Sequence, residues 1–144
     1  MRKSLILISA FLITIVMLST SCNECHDCDY DYLLYQIENK LASPIHVRFV
    51  SNIYPERNFE TTIESNEIKD IIEGETGLDG FGLVSYDSAF ITVNSTEYRY
   101  IRNQSNSLLS SSLYLNNGSS KKNGKTLNTY KLIVDEDFLL KSSK

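Results

Sequence analysis

The feature that most constrains this chain is a two-residue hydrophobic period, which runs from Tyr30 almost to the carboxyl end. In Ile45-His-Val-Arg-Phe49, Ile45, Val47 and Phe49 point one way while His46 and Arg48 point the other. That alternation puts one face of a strand in a core and the other in water, whereas a helix needs apolar residues every three or four positions. Tyr35 and Ile37 share a face in an earlier run, and Phe59, Thr61 and Ile63 repeat the pattern. Ser65-Asn66 turn the chain into Ile68 to Ile72, a short run that reads as a strand or as one helical turn. Gly74, Gly77, Gly80 and Gly82 mark a loop.

Ala89, Ile91 and Val93 alternate up to Asn94-Ser95, and Tyr98 and Tyr100 then alternate with Glu97, Arg99 and Ile101. The pair predicts a tight hairpin. From Asn103 to Gly124, 12 of 22 residues are Ser or Asn, which predicts loops around one short edge strand. Leu127 to Val134 predicts the last strand, and Asp135-Glu-Asp137 a capped helical turn ending in Phe138-Leu-Leu140. About seven short strands in about 110 residues predict an all-β fold, an antiparallel β-sandwich of immunoglobulin-like type. The Cys-Trp-Cys landmarks of antibody domains are missing, because the chain has no Trp and its three cysteines all precede the strands.

The amino terminus has a different character. Arg2-Lys3 precede a nearly unbroken apolar stretch from Leu5 to Leu18, followed by Ser19-Thr20-Ser21 and Cys22. A basic flank, an apolar run too short to span a bilayer comfortably and a small-residue exit predict an export signal over residues 1–21. The residues around Cys22 resemble a bacterial lipoprotein lipobox. Its usual Leu at the third position before the cysteine is Ser19 here, with Leu18 one place further back. The resemblance implies that Cys22 becomes the lipidated first residue of the mature protein. Ser19 and Ser21 equally suit an ordinary signal peptidase, which would release an unanchored protein. Several acyl chains together meet the two-signal requirement for stable anchoring.

All three cysteines lie in Cys22-Asn-Glu-Cys25-His26-Asp-Cys28. With Cys22 lipidated, Cys25 and Cys28 remain as a Cys-x-x-Cys pair that closes a short disulfide or stays as thiols. Asp27, Asp29 and Asp31 would raise a thiol pKa, which disfavours a thioredoxin-like centre. Cys22-Asn-Glu-Cys25-His26 also satisfies the haem-attachment pattern of c-type cytochromes. A haem thioether and a lipid thioether compete for Cys22, and both methionines lie in the signal, leaving His46 as the second axial candidate. Zinc would find Cys25, His26 and Cys28 crowded together without a second ligand pair. Calcium would find Asp27, Asp29, Asp31 and Glu38 at loop spacing, but Tyr32 where the sharp turn wants Gly. The expected cofactor and metal complement is none.

Glu24, Asp27, Asp29 and Asp31 form an acidic leader over residues 22–30 and its border, ahead of a domain at 31–141. An acidic run directly after the lipidated cysteine resembles the surface-export signal of Bacteroidota lipoproteins. Tyr35 to Asn39, Asp87 to Ile91 and Tyr130 to Phe138 also look like small cell-envelope lipoproteins of that phylum. The resemblance implies an outer-membrane anchor on the periplasmic face or the cell surface, and brings no activity with it. Asp87-Ser88-Ala89 resembles the acceptor tripeptide for O-glycosylation of such exported proteins, with Ser88 as the sugar-bearing residue.

Little points to catalysis. His26 sits in the leader and His46 on the polar face of a strand, and no nucleophile elbow, zinc-protease or phosphate-loop motif occurs. Glu73/Glu75 and Asp135/Asp137 are carboxylate pairs, but they do acid–base work only where burial moves one pKa. Fourteen Lys and Arg against 18 Asp and Glu, with no basic cluster, exclude a phosphate-neutralising nucleic-acid surface. The expectation is therefore a lipid-anchored envelope module that binds, adheres or assists, with an envelope protein or glycan as partner. Tyr86, Tyr98, Tyr100 and Tyr114 either form its contact surface or are amphipathic strand residues. The alternative is a haem or redox lipoprotein built on Cys22 to Cys28, and a carboxylate hydrolase is a third reading.

Overall fold

In the computed structural model, which describes residues 31–75, 82–102, 104 and 106–142, the alternating segments form eight strands. They are β1 (Tyr32–Asn39), β2 (Ile45–Val50), β3 (Phe59–Ile63), β4 (Ile68–Glu75), β5 (Ser88–Val93), β6 (Thr96–Ile101), β7 (Leu115–Lys122) and β8 (Lys125–Val134). One helix, α1 (Glu136–Ser142), follows β8. The first sheet has the order β4-β1-β8-β7 and the second β3-β2-β5-β6. Neighbours are antiparallel apart from β1 and β8, which run parallel with Tyr32 opposite Leu127 and Asn39 opposite Val134. The fold is an all-β sandwich. Its one parallel pair joins the first and last strands in the β4-β1-β8-β7 sheet.

The alternation decides which side chains meet. Ile45, Val47 and Phe49 of β2, Ile63 of β3, and Ala89 and Ile91 of β5 are fully enclosed. From the first sheet Tyr35, Ile37, Ile72, Leu132 and Val134 meet them in one core. Each fully buried Ile or Phe contributes roughly 1.5–3 kcal/mol relative to exposure. Ring contacts extend the packing: Phe49 stacks on Phe59 at 5.5 Å, and Tyr35 meets Tyr114 edge-on at 5.1 Å. Residues Ile68 to Ile72 are strand and not a helical turn. A bulge opposite Tyr35/Gln36 lets both Ile71 and Ile72 turn inward, which breaks the simple alternation there.

The Ser/Asn-rich stretch departs further from expectation. Its edge strand is eight residues long, and nearly every side chain of β7 is exposed, so no apolar face announces it. What holds it is a two-residue hairpin, Lys122 opposite Lys125, through Asn123 (φ 53°) and Gly124 (φ 81°). Both central residues in the left-handed region fit the twist of the flanking strands. Asn94 (φ 47°) and Ser95 (φ 66°) make the same kind of turn between β5 and β6, as the alternation predicted.

The two sheets are joined at a polar corner. Asn39, fully buried at the end of β1, donates from Nδ2 to the carbonyls of Ser43 (2.9 Å), Ile63 (3.1 Å) and Glu64 (3.1 Å). Its Oδ1 accepts from the Leu41 N–H at 3.0 Å. The end of β1, the approach to β2 and the turn from β3 to β4 thus share one side chain. Just past the end of β8, Asp135 accepts from the Phe138 N–H at 2.8 Å and caps α1. Phe138 then stacks on Tyr100 of β6 at 5.7 Å, so the helix closes the flank between the sheets.

Candidate functional site

The predicted site residue that the described structure contains is Ser88, the first residue of β5. Because Ala89, Ile91 and Val93 turn into the core, Ser88, Phe90 and Thr92 face outward on the second sheet. Ser88 lies between Val50 of β2 and Ile101 of β6, and only 9% of its surface meets solvent. The next row outward along the strands is Arg48, Phe90 and Arg99. Arg48 lies over the Phe90 ring at 4.2 Å and pairs with Glu97 at 3.4 Å. That row is a cation–π stack closed by an ion pair, with the charges largely answered within the face.

Asp87 fixes the start of β5. Its Oδ2 accepts from the Asn52 N–H at 2.6 Å, its own N–H donates to the Val50 carbonyl at 2.9 Å, and its carbonyl accepts from the Arg102 N–H at 3.3 Å. The Arg102 guanidinium reaches back to the Tyr86 carbonyl at 2.8 Å and to the carbonyl of Val84. Three loops, those after β2 and β6 and the one before β5, are thereby pinned around Asp87-Ser88-Ala89. Sequence pattern alone misses this role of Asp87 and Arg102, since the partners are far apart along the chain.

The remaining candidates are dispersed. Cys22, Cys25 and Cys28, with His26, lie outside the described residues, as do Gly77 and Gly80. His46 is on the polar face, as expected, with Nδ1 3.4 Å from Thr62 Oγ1 and Nε2 3.6 Å from Glu60. Glu73 pairs with Lys122 across the outer face of the first sheet, and Asp135 is spent on the cap of α1. The tyrosines are not a contact surface. Tyr86, Tyr100 and Tyr114 are buried and Tyr98 packs against the core: the alternation of β6 turns Tyr98 and Tyr100 inward, while Tyr86 and Tyr114 follow short 3-10 turns ahead of β5 and β7. Tyr114 donates to the Leu108 carbonyl at 3.1 Å and Tyr86 to that of Arg57 at 3.3 Å. Burial raises the pKa of both hydroxyls, with the Arg57 charge opposing the rise at Tyr86.

One carboxylate stands apart. Glu38 faces outward on β1 yet is only 7% exposed, held by Lys131 at 2.8 Å and Lys40 at 2.5 Å. Hydrogen bonds from Lys131 and then Lys40 keep its carboxyl below the usual carboxylate range. That direction favours permanent ionisation, opposite to the shift a general acid requires. Among the described residues no three His, Cys, Asp or Glu are grouped to hold a metal ion, and no helix is long and apolar enough to cross a membrane. Comparison with protein-family models, with curated proteins and with solved structures finds no match.

Proposed function

We propose that this chain is a lipid-anchored protein of the cell envelope whose β-sandwich binds, adheres or serves as an accessory subunit and catalyses nothing. The observation that carries the reading is the apolar run Leu5 to Leu18 ending at Cys22, nine residues (Asn23 to Asp31) before the first strand. A signal of that form delivers a folded domain to a membrane on a short leash, and acylation of Cys22 supplies the anchor. The acidic leader and the three resemblance segments favour the outer membrane of a Bacteroidota bacterium, on its periplasmic face or its surface. An envelope protein or a glycan is the partner class, and Ser88 is the O-glycosylation site.

The non-catalytic reading draws support from how the carboxylates are used. Glu38, Glu73, Asp87 and Asp135 are each engaged by lysine, arginine or backbone N–H groups. Charges tied in this way stabilise strands and turns, and proton transfer would have to break them first.

The test is the intact mass of the amino-terminal peptide from protein extracted from its native host. Cleavage before Cys22 with added acyl chains is the expected result. A haem adduct on Cys22 and Cys25, or an unacylated Cys22, overturns the anchor reading and moves attention to Cys25, His26 and Cys28.

A further inference from the structure

Four of the seven large apolar side chains that stand exposed among the described residues gather at one end of the sandwich: Ile53, Tyr54, Val84 and Ile101. Chain direction fixes which end. Asn39 holds the end of β1 against the approach to β2 and the end of β3, so these termini share one end. The start of β1, the end of β2, the start of β5 and the end of β6 therefore share the other. Ile53 and Tyr54 follow β2, Val84 precedes β5 and Ile101 closes β6. Asp87 and Arg102 lock those three loops together, so the apolar side chains are presented by a fixed surface.

Cations rim the same end. The Arg57 guanidinium lies 4.1 Å from the Tyr54 ring, and Arg102 sits beside Val84. The β7–β8 hairpin carries Lys121, Lys122 and Lys125 there, because β8 runs parallel to β1 and starts beside Tyr32. Of the acids at this end, Asp87 is held by Asn52 and Arg102 and Glu73 by Lys122, while Glu75 closes β4 opposite Tyr32, Glu56 stands exposed and Asp31 is the last acid of the leader before β1.

We infer that this end of the sandwich rests on the phospholipid surface, with Ile53, Tyr54 and Val84 in the interfacial layer and the cations at headgroup phosphates. The inference rests on the lipid-anchored reading of Cys22. Lipid is the favoured occupant because β1 begins at this end, so the chain coming from Cys22 enters here. Its nine intervening residues reach at most about 30 Å. Aliphatic side chains, a tyrosine and flanking Lys and Arg are the composition that settles at a bilayer interface. Tethering makes this second contact intramolecular, so a small patch suffices.

The chain has no Trp, so a single introduced Trp is a sole reporter. The acylated protein carrying Tyr54→Trp, or Val84→Trp as a second reporter, is reconstituted into vesicles of phosphatidylethanolamine and phosphatidylglycerol with brominated acyl chains. Ala42→Trp, exposed at the opposite end between β1 and β2, is the control. The expected result is flotation with the vesicles and at least about twofold stronger quenching at positions 54 and 84 than at 42. Flotation with equal or no quenching overturns the docked orientation and leaves the anchor standing. Failure to float removes the anchor, and the docked orientation falls with it.

Discussion

Asn39, the last residue of β1, donates from its side-chain amide to the carbonyl of Ile63, the last residue of β3, at 3.1 Å. These two strands belong to different sheets, so one buried side chain ties the halves of the sandwich where the chain crosses between them. The bonds to Ser43 and Glu64 complete the corner, and the Leu41 N–H fixes the amide's orientation by donating to its oxygen.

Asn39→Ala leaves those carbonyls and the Leu41 N–H without the partner they have now. Buried polar groups stripped in this way cost about 1–3 kcal/mol, and several share the loss here, so a destabilisation of about 2–4 kcal/mol is expected. Urea denaturation of variant and parent, compared at equal slope, measures it. A loss below about 0.5 kcal/mol, the range of an ordinary surface change, refutes the corner's role.

Glu38 gives the chain a pH dependence of known sign. Its folded pKa is depressed by Lys131 and Lys40, so the unfolded chain takes up the proton first as pH falls. The stabilisation is complete above the ordinary value of 4.5 and is lost as pH drops through it toward the folded value. Glu38→Gln should lower the denaturant midpoint at neutral pH and narrow the gap between neutral and acid midpoints. An unchanged gap would show that other carboxylates carry the acid sensitivity.

The two hairpin turns respond oppositely to substitution. Ser95 holds φ 66° without being glycine, and a side chain in that region costs roughly 1 kcal/mol, so Ser95→Gly is expected to stabilise by up to about that amount. Gly124 holds φ 81° in open space, so Gly124→Ala meets no clash and is destabilising by about 1 kcal/mol through backbone strain alone. Thermal or urea midpoints of the two variants, shifted in opposite directions, check the pair.

Strands whose inward positions are Ile, Val and Phe were legible from alternation, because burial of one face writes the pattern into the sequence. β7 was not legible. It is an edge strand with little to bury, and its Ser, Asn and Lys side chains satisfy no period. Its turn was passed over in the expectation of loops around a short strand, although Asn123-Gly124 is a local hairpin signal that needs no apolar neighbours. The Asn39 corner and the Asp87–Arg102 clamp depend mainly on partners such as Ile63, Glu64, Asn52 and Tyr86, 16 to 35 positions away, and no local pattern encodes such a distance. Tyr100 was ambiguous because a tyrosine on a half-buried strand suits either face, and Tyr86 and Tyr114 because they end short turns where no alternation assigns a face.

Asp87-Ser88-Ala89 does structural work whether or not it carries sugar, and this sets a condition on glycosylation. Ser88 is in a strand paired on both sides, by β2 and β6, with 9% of its surface exposed. A transferase that threads an extended acceptor through its site would have to open both ladders, at a cost near that of unfolding the sheet. Transfer to Ser88, on the proposed glycosylation, would therefore have to precede folding or await local opening. The expected signature is incomplete occupancy in the parent protein that rises in the destabilised Asn39→Ala variant. Ser88→Ala should abolish the sugar mass and shift the urea midpoint little, whereas Asp87→Ala should remove the sugar and destabilise by about 1–2 kcal/mol through the lost Asn52 and Arg102 contacts. The mass of the peptide containing Ser88, measured across the four proteins, decides the matter. Equal and full occupancy in parent and Asn39→Ala protein would exclude the local-opening route and mean that transfer is complete before β5 pairs with β2 and β6.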